Sequence, residues 1–182
     1  GETMTGNQFR LLRKMNNISQ ATLFHKIGKG DRNSIYRAEH LPYVPLVYLR
    51  ALGEIIGVNL TKPEEAEKYM KQLGVKPPPI RNEAIDWKPI FDEYKCTSFK
   101  WERLLTGYRR CLNKRITRND FVDILYQALE RGELRQIAHG NGVRYVYNAP
   151  DTRDIELIKS KTRSKMPKNG TFDDETASET EE

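Results

Sequence analysis

The sequence predicts a mainly α-helical protein in two lobes, the second ending in a small β element, and three observations carry that prediction. Before residue 60, four stretches have apolar residues three or four apart, broken by Asn, Gly and Pro, the spacing and punctuation of short helices. Lys76-Pro77-Pro78-Pro79 favours a stiff, extended segment and divides the lobes. After Gly132 the apolar period drops to two on both sides of Gly140-Asn141-Gly142, the pattern of a β-hairpin.

Each element has local reasons. Thr5 and Gln8 have capping-box spacing, so a helix begins near Gly6 with Phe9, Leu12 and Met15 on one face and ends at Asn16-Asn17. Ser19 suits a second N-cap, with Leu23, Phe24 and Ile27 inward and Gly28 closing the helix. Asp31 is a third cap, for a helix that runs to about His40 with Ile35 and Ala38 inward before Leu41-Pro42 breaks it. Leu46 to Ile56 closes this unit at Gly57. Thr61 and Glu64 form a further capping pair before a polar helix to about Leu73. In the second lobe the sequence predicts a helix from Ile85 to Lys95, with Trp87, Ile90, Phe91 and Tyr94 as core. A second runs from Phe99 to Leu112, with Trp101, Leu104, Leu105 and Tyr108. A third begins at Thr117 and Asp120, buries Phe121, Ile124, Leu125, Ala128 and Leu129, and ends at Arg131-Gly132. The strands are Leu134 to His139 and Val143 to Tyr147. The expected domains are 1–60, a helix and Pro-rich linker over 61–84, a second domain over 85–150, and a disordered tail over 151–182.

The chain has 182 residues and a net charge of +6, unevenly spread. Residues 1–60 and 101–149 each carry a surplus of +4, the segment between them +1, and residues 150–182 a deficit of −3. A cationic surplus on a small protein points to a polyanionic partner. The tail runs from basic (Lys159, Lys161, Arg163, Lys165, Lys168) to acidic, with six acids and no base from Asn169 onward, too polar to offset the entropy of ordering. No apolar run reaches the roughly 18–20 residues a spanning helix needs, and the N-terminus lacks a secretory pattern, so the expectation is a cytoplasmic, nucleoid-associated protein without a membrane partner. Two cysteines and three histidines form neither a disulfide framework nor a zinc motif. No carboxylate pair, Cys-His arrangement or phosphate-binding glycine loop stands in a catalytic context, so no enzyme, metal or cofactor is expected.

Residues 9–58 resemble the helix-turn-helix family of lambda repressor and Cro. Arg10 and Arg13 stand on the first helix; Ile18-Ser19-Gln20 matches the start of the second. Leu23, Ile27 and Gly28 match its buried face and turn; Ile35, Ala38 and Glu39 match the recognition helix; Pro45 and residues 49–58 match the closing helix. The turn at Gly28-Lys29-Gly30-Asp31 is one residue longer than in that family, the stretch after Pro45 one shorter, Leu41 replaces a glycine, and Tyr36 stands at a usually small position. The second lobe's order of helices before a hairpin resembles the winged helix-turn-helix. The expected fold is thus a repressor-like helix-turn-helix bundle plus a winged-helix-like α+β domain.

The resemblance implies a transcription regulator that reads promoter or operator DNA, expected to be a repressor and a homodimer. Early residues of a recognition helix face base edges in the major groove, here Arg32, Asn33 and Ser34, with Arg37 one turn later; Arg pairs with guanine and Asn with adenine. Ser19 and Gln20 open a helix whose positive end suits a phosphate, flanked by Lys26 and Lys29. Arg10, Arg13 and Glu39 are expected to form an internal ion pair. A second candidate surface comprises Arg109, Arg110, Lys114 and Arg115, then Arg118 and Asn119 at a helix start, with His139, Asn141 and Arg144 near the wing. The rival reading is a plasmid or phage replication or recombination accessory factor, or an antitoxin-like protein, whose C-terminal lobe binds a protein partner. RNA binding ranks below both, because the deep A-form major groove does not admit a helix.

Overall fold

The computed structural model describes residues 4–81, 83–140 and 142–149. Asn141 and the basic-then-acidic tail lie outside the described residues. The protein is mainly helical, with a small three-stranded antiparallel sheet. The described residues divide into two compact units, one of residues 4–81 with 117–127, the other of 83–116 with 128–149. This division groups residues 117–127 with the N-terminal half rather than with the hairpin that follows them in sequence.

The first unit contains α1 (Gly6–Met15), α2 (Gln20–Ile27), α3 (Ser34–Ala38), α4 (Leu46–Ile56) and α5 (Pro63–Leu73), together with residues 118–127 of α8 (Arg118–Glu130). Its first helix starts on a capping box: Gln8 N–H donates to Thr5 Oγ1 (3.2 Å), and Thr5 N–H donates to Gln8 Oε1 (3.0 Å). Two otherwise orphaned donors are thereby satisfied. In α2, Thr22 N–H donates to Ser19 Oγ (3.0 Å), and Gly28 closes the helix at φ 79°, a left-handed conformation that favours glycine. Phe9, Leu12, Leu23, Ile35, Leu49 and Leu52 form the centre of the core, and burial of each stabilises by roughly 1.5–3 kcal/mol. Gly6 lies against the end of α3 so closely that a Cβ would stand 2.3 Å from the Glu39 carbonyl oxygen. Its N–H donates to Leu41 O (2.8 Å), which fixes the start of α1 beside the end of α3.

Three local expectations differ from what forms here. Met15 falls on the predicted apolar face but is 51% exposed, because the buried face of α1 runs through Phe9, Leu12 and Arg13 and a second step of three carries Met15 round the helix away from Phe9. The third helix is five residues long and capped at Asn33, not at Asp31: Asp31 Oδ1 accepts from Asn33 N–H (2.8 Å) and holds a turn instead. Thr61 does not cap α5; its N–H and Oγ1 both donate to Asn59 Oδ1 (3.1 and 2.5 Å), and Pro63 opens that helix.

The second unit contains α6 (Lys88–Tyr94), β1 (Ser98–Phe99), α7 (Trp101–Cys111), the end of α8, β2 (Leu134–His139) and β3 (Gly142–Tyr147). The sheet order is β1-β3-β2, with Leu134 opposite Tyr147, His139 opposite Gly142 and Phe99 opposite Tyr145. The hairpin falls where the period-two pattern predicts it. Strand β1 takes residues that the sequence reads as the start of a helix, so α7 begins at Trp101. Buried Trp87 donates from Nε1 to Glu133 Oε1 (3.0 Å), and Ile85 N–H donates to Glu133 Oε2 (3.3 Å). Phe91 packs edge-on to Phe99, with ring centroids 4.8 Å apart.

Candidate nucleic-acid interface

The candidate reader is built around one carboxylate. Glu39, at the C-terminal cap of α3, is 1% exposed. Arg13 Nε donates to its Oε2 (2.5 Å) and Arg13 Nη2 to its Oε1 (3.1 Å). Arg13 Nη1 donates to Ile18 O (2.9 Å), in the link to α2. Gln20 Nε2 donates to Glu39 Oε1 (3.1 Å). This network joins α1, the first residue of α2 and the end of α3. Arg10 does not share it. Its Nε is buried without a hydrogen-bond partner, and its charge acts on Asp123 of α8.

The network gives α3 a fixed back. Ile35 and Ala38 are buried, while Arg32, Asn33 and Arg37 are exposed and Ser34 is half-buried. Arg32 and Asn33 lie in the turn that precedes the helix, with Asn33 as its N-cap. Arg37 is paired: its Nη2 donates to Asp31 Oδ1 and Oδ2 (3.2 and 3.1 Å). Arg37, and after it the Asn33 amide, hold the Asp31 carboxyl below the usual carboxylate range. Ser19 is exposed at the α2 N-cap and Lys29 is exposed in the following turn, while Lys26 pairs with Glu54 of α4 (3.2 Å). The predicted set Ser19, Lys29, Arg32, Asn33 and Arg37 therefore stands on the α2–α3 segment, and Gln20 is turned to Glu39.

The residues predicted for a second reader are dispersed. Arg118 and Asn119 begin α8 within the first unit. The Arg118 guanidinium lies 5.8 Å from the Tyr36 ring centroid, and Asn119 O accepts from Asn7 Nδ2 (2.7 Å). In the second unit, Arg109 Nε donates to Ile116 O (3.1 Å), which ties α7 to the loop after it. Arg144 Nε donates to Ser98 Oγ (2.7 Å) and its Nη2 to Ser98 O (3.0 Å), so this side chain links β3 to β1. Arg110, Lys114 and Arg115 are exposed, on the last turn of α7 and the loop beyond. His139 is exposed at the end of β2.

The sequence reading missed two features. Tyr36 is 42% exposed on α3 and carries both the Arg118 contact and a His40 ring 4.4 Å away. Asp123, half-buried on α8, has its pKa raised by burial and by Asp120, against the opposing influence of Asn7, Arg81 and Arg10. The only sequence signal for the first was an aromatic residue at a position that is small in the resembling family. Among the described residues no helix is long and apolar enough to cross a membrane. No family model matches the chain, and comparisons with curated proteins and with solved structures return no match.

Proposed function

We propose that the chain is a sequence-specific DNA-binding transcription regulator, a repressor that reads operator DNA through α3 and its preceding turn. The observation that carries this reading is the third helix with the turn before it. Ile35 and Ala38 are buried, the buried Glu39 network fixes the helix end, and Arg37 on the helix and Arg32 and Asn33 in the turn are exposed. Those side chains match the donor and acceptor patterns of guanine and adenine in the major groove. The capped start of α2 and Lys29 supply phosphate contacts on the same segment. Along the chain, the element order α6-β1-α7-α8-β2-β3 with a β1-β3-β2 sheet supports a winged-helix-like reading of residues 85–148, while the grouping of residues 118–127 of α8 with the first unit departs from it. Binding as a homodimer would place two such readers on half-sites one helical turn apart.

The test is selection of bound sequences by the full-length chain from a random duplex library at near-physiological salt. A defined motif is expected. Arg32→Ala should relax preference at one base pair, at a cost of about 1–3 kcal/mol, while Lys29→Ala should weaken all duplexes alike and reduce the salt slope by about one. No enrichment by the wild-type chain would remove the regulator reading. A second reading concerns the second unit alone. Arg109 and Arg144 are engaged in bonds within that unit, which favours a protein partner there over DNA.

A further inference from the structure

We propose that the first turn of α8 braces the candidate recognition helix, and that Arg118 is a positioning residue which holds Tyr36, and with it α3, in the reading orientation. The functional consequence rests on the DNA-reading assignment of α3; the bracing itself does not.

The need for a brace follows from the length of α3. Isolated helices below roughly 12–15 residues are marginal in water, and α3 has five residues and no side-chain hydrogen bond at its N-cap. Tertiary contacts must therefore hold it. Two are already described: Ile35 and Ala38 in the core, and Glu39 in the ion-pair network. Both act on the inward face or the C-terminal end. On the outward side the described ring contacts belong to Tyr36. The His40 ring lies 4.4 Å away, tilted by 45°, and its Nδ1 pairs with the Tyr36 carbonyl (2.8 Å). Arg118 places its guanidinium 5.8 Å from the ring centroid, within the range of a cation–π attraction.

Arg118 can act as a brace only if its own backbone is fixed, and it is. Asn7 Nδ2 on α1 donates to the adjacent Asn119 carbonyl at 2.7 Å. Two turns later Tyr43, in the loop between α3 and α4, packs edge-on to Tyr126 with centroids 5.8 Å apart. At the far end, Arg81 N–H donates to Gln127 Oε1 (3.2 Å). All of these contacts lie within the first unit. They set residues 118–127 against α1 and the α3–α4 loop, and so deliver the Arg118 cation to the ring of α3. Tyr36 adjoins Arg37 and follows Arg32 and Asn33 by one turn, so a tilt of its ring is a tilt of the reading residues.

The experiment uses full-length protein carrying Arg118→Ala, Arg118→Lys, Tyr36→Leu, Tyr36→Phe, or Arg118→Ala with Tyr36→Leu. The first readout needs no DNA. It is hydrogen exchange at the Arg37 and Glu39 amides, which close the turns of α3 on Asn33 O and Ile35 O. Arg118→Ala and Tyr36→Leu should each speed that exchange about two- to fivefold, the double variant no more than either alone, and the Lys and Phe variants little. The second readout is the ratio of affinities for the selected duplex and for random duplex across a salt series. That ratio should fall about two- to fivefold for Arg118→Ala with the salt slope unchanged. Unaltered α3 exchange in Arg118→Ala, or additive effects in the double variant, would overturn the brace. A salt slope lowered by about one with base preference intact would make Arg118 a phosphate ligand and equally overturn it. Failure of the wild-type chain to bind any duplex selectively removes the DNA reading, and the exchange result still decides the brace.

Discussion

Glu39 accepts hydrogen bonds from Arg13 and Gln20 while almost wholly out of water. A buried pair of this kind owes little net stability to its charges, but removing one partner strands the other. Glu39→Ala should therefore destabilise the first unit by about 3–5 kcal/mol, read as a shift in the denaturant midpoint, and α2 and α3 should loosen together. Asp123 is the opposite case. Burial raises its pKa above the ordinary value of 3.8, so its charge is disfavoured in the folded state. The fold then gains stability as pH falls through the raised pKa towards 3.8, and loses it as Asp123 ionises above. Asp123→Asn should raise the melting temperature at pH 7, and the gain over wild type should shrink as the pH is lowered through that window. An equal or lower melting temperature at pH 7 would show that the attraction of Arg10 and Arg81 outweighs burial.

Helices α1, α2 and α4 were legible because their signals are local. The Thr5–Gln8 box, the Ser19 cap, and the glycines at 28 and 57 each act within a turn, and the bounds follow from them. Where a capping residue had a second suitor nearby, the reading failed. Asp31 went to the Asn33 amide and to Arg37, which shortened α3, and Thr61 went to Asn59. Strand β1 was illegible for another reason. It has two residues, far too few for a period, and exists because Val146 and Tyr145 are opposite it. That Ser19, Lys29, Arg32, Asn33 and Arg37 stand on the α2–α3 segment was readable from the local caps and apolar spacing. The placing of Arg118 against Tyr36, of Asn7 against Asn119 and of Tyr43 against Tyr126 was not, since no periodicity encodes which distant helix covers a face.

For the chain as a whole, the notable fact is that the first unit is discontinuous in sequence. A fragment ending at residue 81 would lack residues 117–127, and with them the Asn119, Arg118 and Tyr126 contacts of Asn7, Tyr36 and Tyr43. Such a fragment should melt at a lower temperature than the first unit does in the full chain, with faster hydrogen exchange in α1 and α3. Equal melting and exchange would mean that residues 117–127 add nothing to that unit.

The same discontinuity sets an order of events during synthesis. The α1–α4 segment leaves the ribosome early, yet the side that Tyr36 and Tyr43 present stays without its α8 partners until residues 117–127 emerge, a delay of several seconds at roughly 5–20 residues per second. During that interval Tyr36 and Tyr43 are open to solvent and to chaperones. The unit translated first is thus completed only after α6, β1 and α7 of the second have been made, and a nascent chain stalled within α7 would carry α3 without the contacts that residues 117–127 bring to it.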